Sequence, residues 1–252
     1  DLKVGVALTA EQMASLTTDI VWLVEEVVNG EKVLVPEVFL AKVRSEDLRP
    51  DGALIVGGEV ELYSKQDIKN MGNIKSDGTV ALRAENVSNK GDIASENLTV
   101  KAEKNITNSG TMRAKADALL QAENITNEAT VSKKQYKELN QKKLEATGSI
   151  SAGQNLTLDA GNSITNRGAN LTAGKNLTLN ADDVDIVTVA KEKHVAVAYG
   201  SSSAEIHDVQ RQQSALSGEN IRLNAKKDIS IAGGVLSAKN LSLIHISEPT
   251  RH

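Results

Sequence analysis

The chain has four histidines and no cysteine, so imidazole is its main source of acid, base or metal-ligand chemistry near neutral pH. His194 and His207 stand 13 residues apart in an irregular polar stretch, with no Glu or Asp at a spacing that completes a catalytic set. They are read as surface histidines. Asp182, Asp183 and Asp185 could offer oxygens to Ca²⁺. The Gly-Gly-x-Gly-x-Asp calcium repeat is missing, however, and solvated acids at a turn are the favoured reading. Phosphate-cradling glycine loops, thiol nucleophiles and paired histidine ligands are also absent from the sequence. The expectation is a chain that is not an enzyme, with no catalytic, cofactor-binding or metal residues and no cofactor.

Asn86, Asn97, Asn105, Asn124, Asn155, Asn170 and Asn176 each stand two residues before Ser or Thr, the pattern of a glycan acceptor. A repeat that puts Asn in its turns and Thr on its outer face generates that pattern unaided, and this is the favoured reading. Tyr136 and Tyr199 are the better candidates for contact, since aromatic residues on projecting loops often mark interaction surfaces.

The elements that must carry these residues follow from composition and period. Only 2% of residues are aromatic while 40% are hydrophobic, so the core must be thin and built from Ala, Val, Leu and Ile rather than thick and aromatic. A net charge of −4 offers no basic footprint for nucleic acid or for anionic lipid. Neither nucleic acid nor a small-molecule substrate is expected as a partner. The apolar runs fall far short of a membrane span. The lack of cysteine suits a chain exported unfolded.

Internal repetition is the strongest signal. Asp67-Ile-Lys-Asn70-Met-Gly72, Asn86-Val-Ser-Asn89-Lys-Gly91, Asn105-Ile-Thr-Asn108-Ser-Gly110 and Asn124-Ile-Thr-Asn127 succeed one another every 19 residues. Ser163-Ile-Thr-Asn166 follows 39 residues after Asn124, close to two periods. Between these copies recur Val80-Ala-Leu82, Leu98-Thr-Val100, Leu156-Thr-Leu158, Leu177-Thr-Leu179 and Ile221-Arg-Leu223. Such alternation sends apolar side chains to one face and Thr to the other, as in a half-buried strand. Asn-x-Gly supplies residues tolerant of positive φ for sharp turns. So small a unit cannot bury its own apolar face and must stack on copies of itself. The expected fold is all-β: a parallel β-helix, or β-solenoid, of about eight coils of 19–20 residues, roughly 40 Å long at the usual strand spacing. A sandwich of hairpins needs no such period.

The expected organisation is 1–50, a helix (Ala10 to Leu16) and a hairpin (Ile20 to Val28, Lys32 to Val43) around Asn29-Gly30; 51–131, solenoid; and 132–146, a polar insertion of helix-forming composition. Then come 147–186, solenoid; 187–214, a protruding hairpin or arm; 215–240, solenoid; and 241–252, a tail of different origin. Leu241 to Arg251 back-translates into a string resembling a transposase sequencing adapter. On that reading the biological sequence ends near Asn240, and His245, Pro249, Arg251 and His252 carry no functional information. Asp1 is no initiating residue, and the chain is expected to be an internal piece of a longer protein.

The segments Leu8 to Glu25 (LTAEQMASLTTDIVWLVE) and Val33 to Val38 (VLVPEV) resemble the region before the second repeat array of filamentous haemagglutinins and contact-dependent growth inhibition exoproteins. Ala152-Gly-Gln-Asn-Leu-Thr-Leu158 and Ala173-Gly-Lys-Asn-Leu-Thr-Leu179 are similar to that family's haemagglutinin repeats. The resemblance covers nearly all of residues 1–240. It implies a right-handed β-helix, two-partner secretion through an outer-membrane transporter, a secreted or cell-surface location and contact with a target-cell surface or outer membrane. In growth-inhibition members it implies delivery of a C-terminal toxin across the target outer membrane; in adhesins, a virulence-associated shaft that displays binding surfaces. A β-helix polysaccharide enzyme is the distant alternative, for lack of a carboxylate cluster.

Overall fold

A computed structural model describes residues 20–28, 31–39, 53–136, 139–199 and 202–245, in two units, Asp1–Pro50 and Asp51–His252. In the first unit, strands β1 (Ile20–Val28) and β2 (Glu31–Phe39) pair antiparallel, with Val28 opposite Glu31 and Ile20 opposite Phe39. The Ala10 to Leu16 helix, the Asn29-Gly30 turn and residues 40–43 of the expected second strand lie outside the described residues.

The second unit is a stack of eight coils. The first holds β3 (Leu54–Gly57), β4 (Val60–Tyr63) and β5 (Asp67–Asn70); the second holds β6 (Asn73–Ser76) and β7 (Thr79–Asn89). The third holds β8 (Asp92–Ser95) and β9 (Asn97–Asn108), and the fourth β10 (Thr111–Ala114) and β11 (Ala118–Tyr136). A return strand, β12 (Leu139–Thr147), leads to the fifth coil, β13 (Ser149–Ala152) and β14 (Asn155–Arg167), and then the sixth, β15 (Asn170–Ala173) and β16 (Asn176–Val187). After a second excursion, β17 (Val189–Tyr199) and β18 (Ser202–Gln212), come the seventh coil, β19 (Ser214–Ser217) and β20 (Asn220–Ala232), and the eighth, β21 (Gly234–Ser237) and β22 (Asn240–His245).

Short strands stack on short strands and long on long, all parallel, making the expected parallel β-helix. Each long strand bends partway, where its register shifts, as between Ala84 and Asn86 of β7. The alternation read in the sequence becomes apolar columns. Leu82, Val100, Leu120, Leu158, Leu179 and Leu223 lie one above another and are all buried. Val87, Ile106, Ile125, Ile164 and Val184 form a second column beyond the bend. Each such side chain contributes about 1.5–3 kcal/mol by burial, and only against a neighbouring coil.

The Asn-x-Gly turns work differently from the expectation. Among the described residues the positive-φ glycines are Gly168 (φ 60°) and Gly233 (φ 85°), not Gly72, Gly91 or Gly110. Gly91 is needed because a Cβ there would overlap the carbonyl oxygen of Gly72 on the coil before it. Asn89, two residues before it, ends β7 with its side chain buried. Asn70, Asn89, Asn108, Asn127 and Asn166 form an internal ladder, each side-chain amide donating to the next side-chain oxygen at 2.7–2.8 Å. Each amide's remaining hydrogen reaches a backbone carbonyl, as from Asn89 to Gly91 at 3.1 Å. Buried amides are therefore satisfied without water.

Among the described residues the insertion 132–146 is strand rather than helix. Its residues extend β11 and return in β12, antiparallel, with Ser132 opposite Lys143 and Tyr136 opposite Leu139. Its Lys, Gln, Glu and Leu favour a helix only weakly, and the ladder already formed by β11 overrides that preference. The residues read as an adapter-like tail begin within β22, which pairs with β20 and sets Leu241 opposite Ile221 and Leu243 opposite Leu223. Ladder pairing asks only for a backbone and an alternating pattern, and Leu-Ser-Leu supplies one whatever its origin.

Candidate interaction surface

Two excursions leave the stack at one corner. Asn127 aligns with Asn166, and Asn166 with Ile186, so β11 departs from the fourth coil where β17 departs from the sixth. Their partners return to the fifth and seventh coils. Four successive coils thus contribute one strand each, and coil rise and sheet spacing share the same value of about 4.8 Å. The four strands can lie side by side without stretching, and they do: the order is β11, β12, β17, β18, antiparallel throughout. Leu139, Asn140 and Gln141 of the first hairpin sit opposite Val195, His194 and Lys193 of the second. Below that short seam the hairpins diverge, and Lys142 and Glu192 bridge the gap at 2.7 Å.

The fifth coil crosses the same corner directly, turning at Gly168. The buried Ser214 hydroxyl closes the corner, accepting from Gly168 N at 2.9 Å and lying 2.6 Å from the Val187 carbonyl. The internal asparagine ladder stops here, because Ile186 takes the next position and the Asn166 amide turns to the Ala169 carbonyl at 2.8 Å.

Register sorts this antiparallel sheet into two unlike faces. One face holds positions 136, 139, 195, 197, 199 and 206 toward the tip, occupied by Tyr, Leu, Val, Val, Tyr and Ile. Nearer the stack the same face holds Lys143, Lys191 and Lys193, with Asp208 opposite Lys193. These lysines have no ion-pair partner among the described residues. They line a cleft of about 350 Å³ with Lys142, Glu192 and Gln210. The other face is mixed in charge, with Lys142, Glu192, His194, Glu205 and His207.

Tyr136 and Tyr199, the expected contact residues, end β11 and β17 on the first face; their side chains lie outside the described ones. His194 and His207, which showed no constellation in the sequence, are brought opposite each other, with ring centroids 5.8 Å apart and edge to face. His194 Nε2 is 2.5 Å from Glu205 Oε1, and this hydrogen bond holds the Glu205 carboxyl below the usual glutamate range. Symmetric spacing about Gly200-Ser201 was the available signal. Among the described residues no group of three His, Cys, Asp or Glu has metal-ligating geometry. Asp182 is held by Lys227 at 3.1 Å and Lys226 at 3.3 Å, and these ammonium groups lower its pKa. Asp183 and Asp185 sit opposite Asp228 and Ser230 of the next coil.

The glycan-like asparagines have other work. Asn105 donates to Asn86 at 2.8 Å and Asn124 to Asn105 at 3.1 Å, an outer ladder three residues before the inner one. Asn176 donates likewise to Asn155 at 2.6 Å. A glycan on any of these nitrogens would leave its amide one hydrogen, the one that the ladder bond uses.

The hemagglutinin repeat family matches residues 45–195 and 184–246, the span of the coils and of both excursions. The chain belongs to this family. It is similar to the tRNA nuclease CdiA of Yersinia mollaretii, 30% identical over 94% of this chain and 8% of the relative. It is similar also to the tRNA nuclease CdiA-2 of Burkholderia pseudomallei, 38% identical over 35% of this chain and 3% of the relative. The toxin CdiA of Yersinia pestis is 42% identical over 32% of this chain and 2% of its own length. The chain therefore spans no more than 8% of the length of these three relatives. No solved structure matches it.

Proposed function

We propose that this hemagglutinin-repeat segment is a β-helical shaft of a large secreted cell-surface exoprotein of the contact-dependent growth inhibition class, and that it helps deliver a C-terminal toxin across the target cell's outer membrane. The observation that carries the reading is the similarity to relatives named as a toxin and a tRNA nuclease, in a chain whose coils are built for stacking: apolar columns and asparagine ladders run through them. The segment's role is then mechanical and positional, with chemistry carried elsewhere in the longer protein. Export through an outer-membrane two-partner secretion transporter and contact with a target cell surface belong to the same proposal. The projecting four-stranded sheet also suits an adhesin shaft, the second reading.

Excision of residues 53–245 from the full-length exoprotein separates the two. Delivery predicts that surface display and target-cell attachment survive while killing in co-culture is lost. An adhesin predicts loss of attachment itself, and killing that survives the excision contradicts the delivery reading.

A further inference from the structure

We propose that the four-stranded sheet β11–β12–β17–β18 docks on an anionic bilayer, its apolar tip entering the interfacial layer and its lysines meeting lipid phosphates. The proposal rests on the delivery reading only in supplying a membrane as the surface met; the chemistry is the sheet's own.

Register collects six apolar positions, 136, 139, 195, 197, 199 and 206, at the distal end of one face, while the other face carries Asn140, His194, Ala196, Ala198, Glu205 and His207 over the same length. β12, β17 and β18 make their extended contacts only with one another and with β11. From Val195 to Tyr199 the strand rises about 13 Å, enough, when tilted, to match an interfacial depth of about 5–10 Å. Two of the six positions are Tyr, the residue type whose apolar body and polar tip suit that depth.

Behind the strip, on the same face, come Lys143, Lys191 and Lys193 without ion-pair partners among the described residues, beside two acids, Asp208 opposite Lys193 and Glu145, which accepts from Ser132 opposite Lys143. The acids Glu192 and Glu205 are on the opposite face. Lysines directly behind tyrosines make the charge pattern that meets anionic headgroups. The core of a protein interface is poor in lysine, which weighs against a protein partner. Net charge and composition hide this surface, because the whole chain is acidic while this one face is basic.

The test is flotation of the full chain with mixed phosphatidylcholine–phosphatidylglycerol vesicles, beside phosphatidylcholine alone. The chain is expected to float with the mixed vesicles and much less with the neutral ones. Lys191→Gln with Lys193→Gln lowers binding at low salt by about 25-fold, fivefold per charge. Tyr136→Ser with Tyr199→Ser abolishes it. Both variants keep the circular dichroism and melting of the parent, because no residue of either hairpin belongs to the buried core cluster. A parent chain that stays with neither vesicle type, or flotation indifferent to both double substitutions, overturns the proposal. Binding to intact target cells without binding to vesicles also overturns it and assigns the face to a protein or sugar. These outcomes stand apart from the excision experiment: a chain that floats keeps its docking surface even where killing survives the excision.

Discussion

The side-chain amide of Asn89 donates to Asn108 Oδ1 at 2.8 Å across 19 residues of sequence, inside the coil stack, where both side chains are fully buried. Three residues earlier, Asn105 donates to Asn86 on the outer surface, in the reverse chain direction. One motif therefore builds two ladders of opposite sense, one dry and one wet.

Dry and wet bonds differ in cost. Asn108→Ala takes the donor from the buried Asn127 oxygen and the side-chain acceptor from the Asn89 amide, which keeps the Gly91 and Thr111 carbonyls, so about 1–3 kcal/mol of local stability is lost for the one orphaned oxygen. Asn105→Ala gives its partners to water and costs less than about 0.5 kcal/mol. Hydrogen exchange of the amides in β7, β9 and β11 distinguishes them; equal loss of protection would show the inner ladder to be solvated.

Leu177→Asp puts an unpaired charge into a column where Leu177 is fully buried between Leu156 and Ile221. Melting of the adjoining coils should collapse, while Thr178→Ser on the outer face changes it by less than about 0.5 kcal/mol. Leu98→Asp and Thr99→Ser form the same contrast three coils earlier. An unaltered melting curve for either aspartate variant would falsify the stacked core.

Glycine spacing provides a steric test. Gly91→Ala forces a Cβ onto the Gly72 carbonyl, so the two coils must part, and stability falls by more than the usual cost of a strained alanine, about 1 kcal/mol. Gly58, in the turn between β3 and β4, has open space where a Cβ would stand, and Gly58→Ala is expected to be silent. Urea unfolding of the two variants compares them directly.

Acid should loosen the second hairpin before the stack. Glu205 is held below the usual glutamate range by its hydrogen bond to His194. A depressed carboxylate stabilises above its unfolded pKa, and that stabilisation is lost as pH falls through the folded value. The cross-strand nuclear Overhauser contact between His194 and His207 should fade over that acid window, while contacts along the Asn89–Asn108 ladder, which has no titrating group, persist. Simultaneous loss of both would contradict a hairpin that opens on its own.

Much of the fold is legible in the residues. Leu-Thr-Leu alternation fixes which side chains enter the columns, and the 19-residue spacing of Asn70, Asn89, Asn108 and Asn127 fixes what stacks on what. The sequence is silent on which asparagine of Asn-x-x-Asn turns inward, because both lie in similar polar company and only the sharp turn after the second decides. Gly91 could be read for its φ or for close approach, and only the neighbouring coil separates these. Ser132 to Ala146 carries helix-forming residues whose preference is a few tenths of a kcal/mol each, too weak to resist an adjoining ladder. The seam between the hairpins, Asn140 with His194, is a contact across more than 50 residues with no periodic echo.

That seam is the relationship on which the interaction surface depends, and disulfide trapping tests it most directly. Asn140→Cys combined with His194→Cys places two thiols at register partners on one face, within reach of a disulfide. Mild oxidation should close the pair rapidly and leave the coil melting intact, whereas Gln141→Cys with His194→Cys, on opposite faces, should stay reduced. Two hairpins that project independently would leave the first pair as reduced as the second, and the single four-stranded sheet would then be wrong.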